Sequence, residues 1–239
     1  MRGLRGGDIL TTLAPQKQLE PGQTLLVGIV TDNEDPEGWG RVKVKFPTLT
    51  EEHASNWARV VAIGEGKERG FDCLPEINDE VLVAFEQGDI HRPYILGAVW
   101  NGKDKTPNPV KDAVVDGKVR LRTFKTRVGH KIQFVEEDKG SSKKGACIET
   151  AGGHKILIND SEKFVEIKTS GGQKFRLDDS KESVEIETSG GQNLKLDDSG
   201  GVSINSKGGI SIQGAGPITL NSTGGPITLK TAQSAKVFS

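Results

Sequence analysis

The chain has 239 residues, 32 Lys and Arg against 33 Asp and Glu, with 33% hydrophobic and 5% aromatic residues. That suffices for one or two domains but is too thinly apolar for one large globular core. No apolar run of about 18 residues exists, which excludes a transmembrane helix. Met1-Arg2-Gly3-Leu4-Arg5-Gly6-Gly7-Asp8 has no apolar stretch behind its charges, which argues against a secretory signal. Cys73 and Cys147 lie far apart without CxxC spacing, so neither a disulfide framework nor a cysteine metal site is expected, and synthesis in a reducing cytoplasm follows.

Composition divides the chain near residue 102. Residues 1–102 hold 10 basic and 16 acidic residues, all three tryptophans (Trp39, Trp57, Trp100) and the only tyrosine, Tyr94. These aromatics give the first segment the means to build a compact core. Residues 1–23 are read as an arm or hub connector. From Thr24 short strands follow: Leu25 to Val30, then Gly40 to Phe46, where Val42, Val44 and Phe46 alternate with charges and so mark one buried and one wet face. The turn formers from Thr31 to Trp39 make these two a hairpin with a long loop. Further strands are expected at 57–62, 80–85 and 94–99. Five strands without a helical stretch predict a small barrel of the oligonucleotide/oligosaccharide-binding (OB) type over 24–102.

The succession Val27-Gly28-Ile29-Val30, Asp35-Pro36, Gly40-Arg41-Val42-Lys43-Val44, Leu74-Pro75-Glu76, Asp79 to Phe85, Gly88-Asp89 and Arg92-Pro93-Tyr94-Ile95-Leu96-Gly97 resembles the barrel domain of contractile-tail spike proteins. These are the phage baseplate spikes (baseplate assembly protein V) and the valine-glycine repeat proteins, VgrG, of type VI secretion and related extracellular injection systems. The same residues serve as turn and core positions of any such barrel: Asp79-Glu80 and Gly88-Asp89 bound an apolar run, and Pro93 opens a strand where a missing N–H costs little.

Asn101 to Pro109 is polar and twice broken by proline, a linker, and 103–123 is read as a neck. From residue 124 to 239 the chain repeats. Phe124 to Phe134 is echoed by Ile148 to Ile158, Ile167 to Leu177 and Ile186 to Leu196, and Thr150, Thr169 and Thr188 are spaced by 19. The unit is strand, Gly-Gly turn, strand, Asp-rich turn. Past residue 200 it shortens: Ile204, Ile212 and Leu220 step by eight, and Leu220 to Leu229 by nine. Short strands are expected at 202–204, 210–212, 217–220 and 226–229.

With one or two apolar residues per strand, a single copy would leave its apolar face open and could not offset backbone ordering of about 1–2 kcal/mol per residue. Three copies about one axis would close a narrow core and remove most free strand edges. A trimeric β-helix after the barrel is also what the family resemblance implies, so the predicted fold class is all-β, an OB barrel followed by an intertwined trimeric β-helix. A calcium-binding β-roll would need Gly-Gly-x-Gly-x-Asp, whereas Gly-Gly here precedes Gln-Lys-Phe or Gln-Asn-Leu. Asp178-Asp179 and Asp197-Asp198 are read as solvated turn residues rather than cation sites.

No catalytic or cofactor motif is found, and the chain is read as non-enzymatic. Gly64 to Gly70 misses a dinucleotide fingerprint and Gly140 to Gly145 lacks a phosphate-loop ending, so both are loops. His53, His91, His130 and His154 lack ligand spacing; His130 and His154 hold equivalent repeat positions and could form hydrogen-bonded rings in a trimer. The acidic barrel opposes nucleic-acid binding, and residues 103–135, with nine basic and three acidic residues, form the only basic stretch.

The resemblance implies a homotrimeric central spike that caps the tube of a contractile apparatus and punctures the target envelope. It would be assembled into a virion or injection particle after synthesis and delivered outward on contraction. The implied partners are hub, tube and baseplate proteins, effector cargo, a transiently touched target membrane, and a small PAAR-type tip protein. Pro226, Ile227, Thr228 and Leu229 would form the trimer end that this tip caps, because the chain ends Thr231 to Ser239 without the histidine pair that binds metal at the apex of short phage spikes. Only about 23 residues precede the barrel, which resembles the short phage protein or a piece of a longer hub–spike chain. A trimeric tail fibre or adhesin is the alternative, with a nucleic-acid-binding OB protein further behind.

Overall fold

The computed structural model describes residues 25–49, 54–228 and 230. The expected arm at 1–23, together with His53 and Leu229, lies outside the described residues. The chain divides into two compact units between Thr106 and Pro107.

The first unit is a curled five-stranded sheet: β1 (Leu25–Asp32), β2 (Lys43–Lys45), β3 (Arg59–Val60), β4 (Glu80–Phe85) and β5 (Pro93–Ala98), in the order β2-β1-β4-β5-β3. β1 pairs antiparallel with β2, as the hairpin reading expected, and with β4, while β3 runs parallel to β5. A bridge between Val42 and Ala58 joins the two edges. Alternation puts Val30, Val42, Val44, Ala58, Val81, Val83 and Ile95 fully inside, closed at one end by Phe46 against Phe85 with ring centroids 5.5 Å apart.

The tryptophans do not build this core. Trp39 and Trp100 are each 66% exposed and Trp57 is half-buried. A five-stranded barrel this narrow is filled by β-branched side chains, and the larger aromatic rings stand outside it.

The second unit opens with a single helical turn, α1 (Val110–Ala113), and a two-stranded ribbon of β6 (Val114–Val115) and β7 (Lys118–Val119). Arg120 fastens this start: 4% exposed, its guanidinium donates to the Asp112 and Glu137 carbonyls at 3.2 and 2.9 Å and to Ser142 Oγ at 3.2 Å.

The repeat then forms one antiparallel meander of nine strands: β8 (Leu121–Lys125), β9 (Lys131–Val135), β10 (Gly145–Glu149), β11 (Lys155–Asn159), β12 (Phe164–Lys168), β13 (Lys174–Asp178), β14 (Ser183–Glu187), β15 (Asn193–Asp197) and β16 (Gly201–Asn205). Each strand pairs with its sequence neighbour in an unshifted register. The chain is thus all-β, an OB-like barrel and a long antiparallel sheet.

Two kinds of turn alternate along the meander. On one edge the threonine accepts, on its carbonyl, the N–H of the second glycine three residues on; Gly153 to Thr150, Gly172 to Thr169 and Gly191 to Thr188 span 2.9, 3.0 and 2.9 Å. Those glycines hold φ of +84°, +92° and +85°, which side chains with a Cβ rarely adopt. On the other edge a side-chain oxygen at every nineteenth position caps the turn: Asn159 Oδ1 accepts from Glu162 N at 2.9 Å, Asp178 Oδ1 from Lys181 N at 3.1 Å and Asp197 Oδ1 from Gly200 N at 2.8 Å.

Asp178 corrects the solvated-turn reading. It is 3% exposed, accepts from Arg176 Nη2 at 2.8 Å and from Ser180 Oγ at 2.6 Å, and its carboxyl is held below the usual range by the Ser180 hydroxyl and the Arg176 guanidinium, against the opposing effect of burial. The turn folds back over its own capping group and excludes water from it.

Past Asn205 the single chain forms no further strand through Thr228, although short strands were expected at 210–212, 217–220 and 226–229. An eight- or nine-residue step leaves three or four residues between Gly or Pro corners, too few for a strand and a hairpin return within one chain.

Candidate functional site

The unshifted register aligns the repeat into rows across the sheet. One row reads Phe124, Ile132, Ile148, Ile156, Ile167, Phe175, Ile186, Leu194 and Ile204, apolar at every strand. Two residues along each strand, on the same face, lies a second row: Arg122, Phe134, Ala146, Ile158, Val165, Leu177, Val184, Leu196 and Val202. Only Arg122 interrupts it. These side chains remain open in the single chain: Ile148 is 46% exposed, Ile167 46%, Ile186 48% and Val202 68%. A contiguous apolar face of two such rows far exceeds the scattered hydrophobics of a soluble surface and is an interaction face.

The opposite face carries a set of ion pairs together with the buried apolar side chains Val135, Cys147 and Phe164. Lys131 pairs with Glu149 at 3.0 Å, Arg176 with Glu166 at 3.2 Å, and Lys174 with Glu185 at 3.3 Å and Glu187 at 2.5 Å. Lys131 and Lys174, placed beside Glu149 and Glu187, lower those carboxyls from their ordinary values. Arg176 also lies over the Phe164 ring, 3.6 Å from its centroid. The charges thus concentrate on one face, while the apolar face carries a single one, Arg122, paired with Glu136 at 3.3 Å.

Beyond the sheet the apolar residues continue and stay exposed among the described residues. Ile212 is 69%, Ile218 54%, Leu220 68% and Ile227 53% exposed. Of the expected tip residues, Pro226, Ile227 and Thr228 are exposed coil, and Leu229 lies outside the described residues.

The repeat histidines occupy equivalent turns and act as local hydrogen-bond acceptors. His130 Nδ1 accepts from Ala151 N at 3.2 Å and His154 Nδ1 from Ser170 N at 3.3 Å, so each imidazole ties its turn to the next one along the same edge. The glycine-rich segments at 64–70 and 140–145 are loops, each with a short bridge, Gly66 to Arg69 and Lys139 to Ser142. No helix among the described residues is long and apolar enough to cross a membrane.

On the barrel, the β1–β2 loop is organised by one carboxylate. Asp35 takes a bidentate pair from Arg41 at 2.7 and 2.8 Å and accepts the N–H groups of Glu37 and Trp39 at 3.1 and 3.0 Å. Its side chain is 3% exposed, and the Arg41 guanidinium holds its carboxyl far below the usual range despite that burial. Asp35 and Arg41 were read as members of a family-like succession; the sequence did not reveal that they pair.

Comparison with known proteins fits this architecture. Residues 26–100 match the family described as the Type VI secretion system/phage-baseplate injector OB domain. The chain is 32% identical over 130 residues to the type VI secretion system spike protein VgrG1a of Pseudomonas aeruginosa, covering 53% of this chain and 20% of that protein. It is 29% identical over 109 residues to VgrG3 of Vibrio cholerae and 28% identical over 109 residues to VgrG2a of P. aeruginosa, in each case over 44% of this chain and over 11% and 13% of the relative. The chain therefore spans a fifth or less of the length of these relatives. With residues 26–100 matching the injector OB domain and with its similarity to these spike proteins, the chain bears out the resemblance to VgrG-like baseplate spike proteins.

Proposed function

We propose that the chain is the central spike of a contractile injection apparatus and works as a homotrimer. The single observation that carries this reading is the two-row apolar face, unbroken from Phe124 to Ile204 on one row, left open on a sheet whose other face already holds its buried residues and ion pairs. Other copies of the same repeat are the natural cover, because each offers the same face in the same 19-residue register. The number three comes from the spike family that the sequence resembles. The strandless segment 206–228 supports the same reading: its short steps suit strands that pair between chains rather than within one.

In this account the barrel meets the hub or tube, and the trimeric repeat is the stiff needle driven through the target envelope when the sheath contracts. The mechanism is mechanical. Strand ladders shared among three chains distribute axial load, and extracting one chain requires breaking contacts with two others. Pro226 to Leu229 form the trimer end that receives a PAAR-type tip protein, which would cover the apolar groups near Ile227; effector cargo would ride on the same assembly. Electron micrographs of the purified protein test this directly: tapered particles with threefold averages support it, and compact globules overturn it. For the tip, co-purification of the PAAR-type protein with the full chain, lost on deleting residues 224–239, is the expected result; retention after the deletion would place the tip site elsewhere.

A further inference from the structure

Three of the aromatic residues left outside the barrel core collect on one of its faces. The chain has three tryptophans and one tyrosine, and Trp39, Trp57 and Tyr94 all stand there, interleaved with cations. The Arg41 guanidinium lies between the Trp39 and Trp57 rings, 4.6 and 5.9 Å from their centroids; Lys43 Nζ is 4.6 Å from Trp57, and Arg59 is 6.0 Å from Tyr94. We propose that this face is a docking surface for a carboxylate-rich polypeptide segment of a partner protein.

Three observations point to a protein. Trp, Tyr and Arg are the residues that dominate the energetics of protein–protein contacts, and here they converge although aromatics are scarce in the chain. The loop presenting Trp39 is built before any partner arrives: Asp35 clamps the Glu37, Trp39 and Arg41 N–H groups, the last at 3.3 Å, and the Arg41 side chain. A ring held 66% exposed on an ordered loop loses little freedom on being covered. The cations this face offers to carboxylates are Lys43 and Arg59, because Arg41, 14% exposed, is committed to Asp35 and lies 3.5 Å from Glu37. Among the described residues Arg59 has no carboxylate partner, and Lys43 reaches Asp32 only at 4.0 Å.

The same bookkeeping disfavours a nucleic acid. A single strand needs a continuous track of uncommitted cations, whereas Arg41 is held by Asp35 and Arg92 lies 3.6 Å from Glu86 and 3.8 Å from Asp89. A short acidic segment needs only two or three cations and an aromatic platform.

The test uses the full chain and a fluorescein-labelled random glutamate–tyrosine copolymer, followed by anisotropy at low and at raised salt. Saturable, salt-weakened binding is expected, reduced at least about tenfold by Trp39→Ala and by Arg59→Glu, with an oligothymidylate failing to compete. Both positions are solvent-exposed, and far-UV circular dichroism together with the thermal midpoint verifies that the variants are folded. Absence of copolymer binding, equal binding by both variants, or displacement by oligothymidylate at lower concentration would each overturn the proposal. Because oligomeric state is measured separately, this outcome does not depend on the trimer.

Discussion

Replacing Ile167 with lysine places a charge at the centre of the apolar face, between Ile156 and Phe175 in its row. Ile167 is 46% exposed in a single chain. Full burial of such a side chain contributes about 1.5–3 kcal/mol, so covering the open half contributes roughly 1 kcal/mol per chain and roughly 3 kcal/mol per trimer. The ammonium adds a desolvation cost of several kcal/mol per chain, and the threefold arrangement brings three like charges together, for a total of about 10 kcal/mol or more. That is comparable with the whole stability of an ordinary domain. Ile167→Lys is therefore expected to sediment as monomer or aggregate, while Lys168→Gln, one residue along on the opposite face, sediments as the parent does. If Ile167→Lys kept the parent's oligomeric mass and guanidinium midpoint, the apolar face would not be an assembly surface.

Other consequences are local. Gly145 has φ +143°, and a Cβ built there would fall inside the Ile158 carbonyl oxygen, so Gly145→Ala is expected to lower the guanidinium midpoint by several tenths molar, whereas Gly97→Ala, where a Cβ meets open space, should shift it little. Arg120→Met removes the donor from the Asp112 and Glu137 carbonyls, at about 1 kcal/mol each, and limited proteolysis should then cut within residues 107–119. The Asp35 carboxyl is depressed in the folded state, so its contribution to stability is complete above the ordinary aspartate value of about 4 and is lost as pH falls below it. The difference in thermal midpoint between the parent and Asp35→Asn should accordingly shrink on acidification below about pH 4; a difference that grows would contradict the pairing.

How much was legible in the sequence follows from which forces act locally. The run Val81 to Phe85 between Asp79 and Gly88, and the 19-residue spacing of Thr150, Thr169 and Thr188, specify strands and turns through side chains within a few residues, and the structure places strands there. The fate of the tryptophans was not legible, because an aromatic residue in a strand reads the same whether it fills a barrel or stacks on an arginine across the sheet. Nor was the burial of Asp178, whose identity as a turn residue is plain but whose withdrawal from water depends on Arg176 and Ser180 folding over it. The expected strands at 210–212, 217–220 and 226–229 illustrate a third limit: their periodicity is genuine, but among the described residues of one chain such short segments form no ladder. Of the expected tip residues, Ile227 stands open among the described residues.

The central claim is that the folded unit is three chains, and sedimentation equilibrium of the purified full chain tests it most directly. The account predicts one species of three times the 25.7 kDa chain mass, unchanged on dilution through the micromolar range; a monomer with undiminished β-structure in circular dichroism would contradict it.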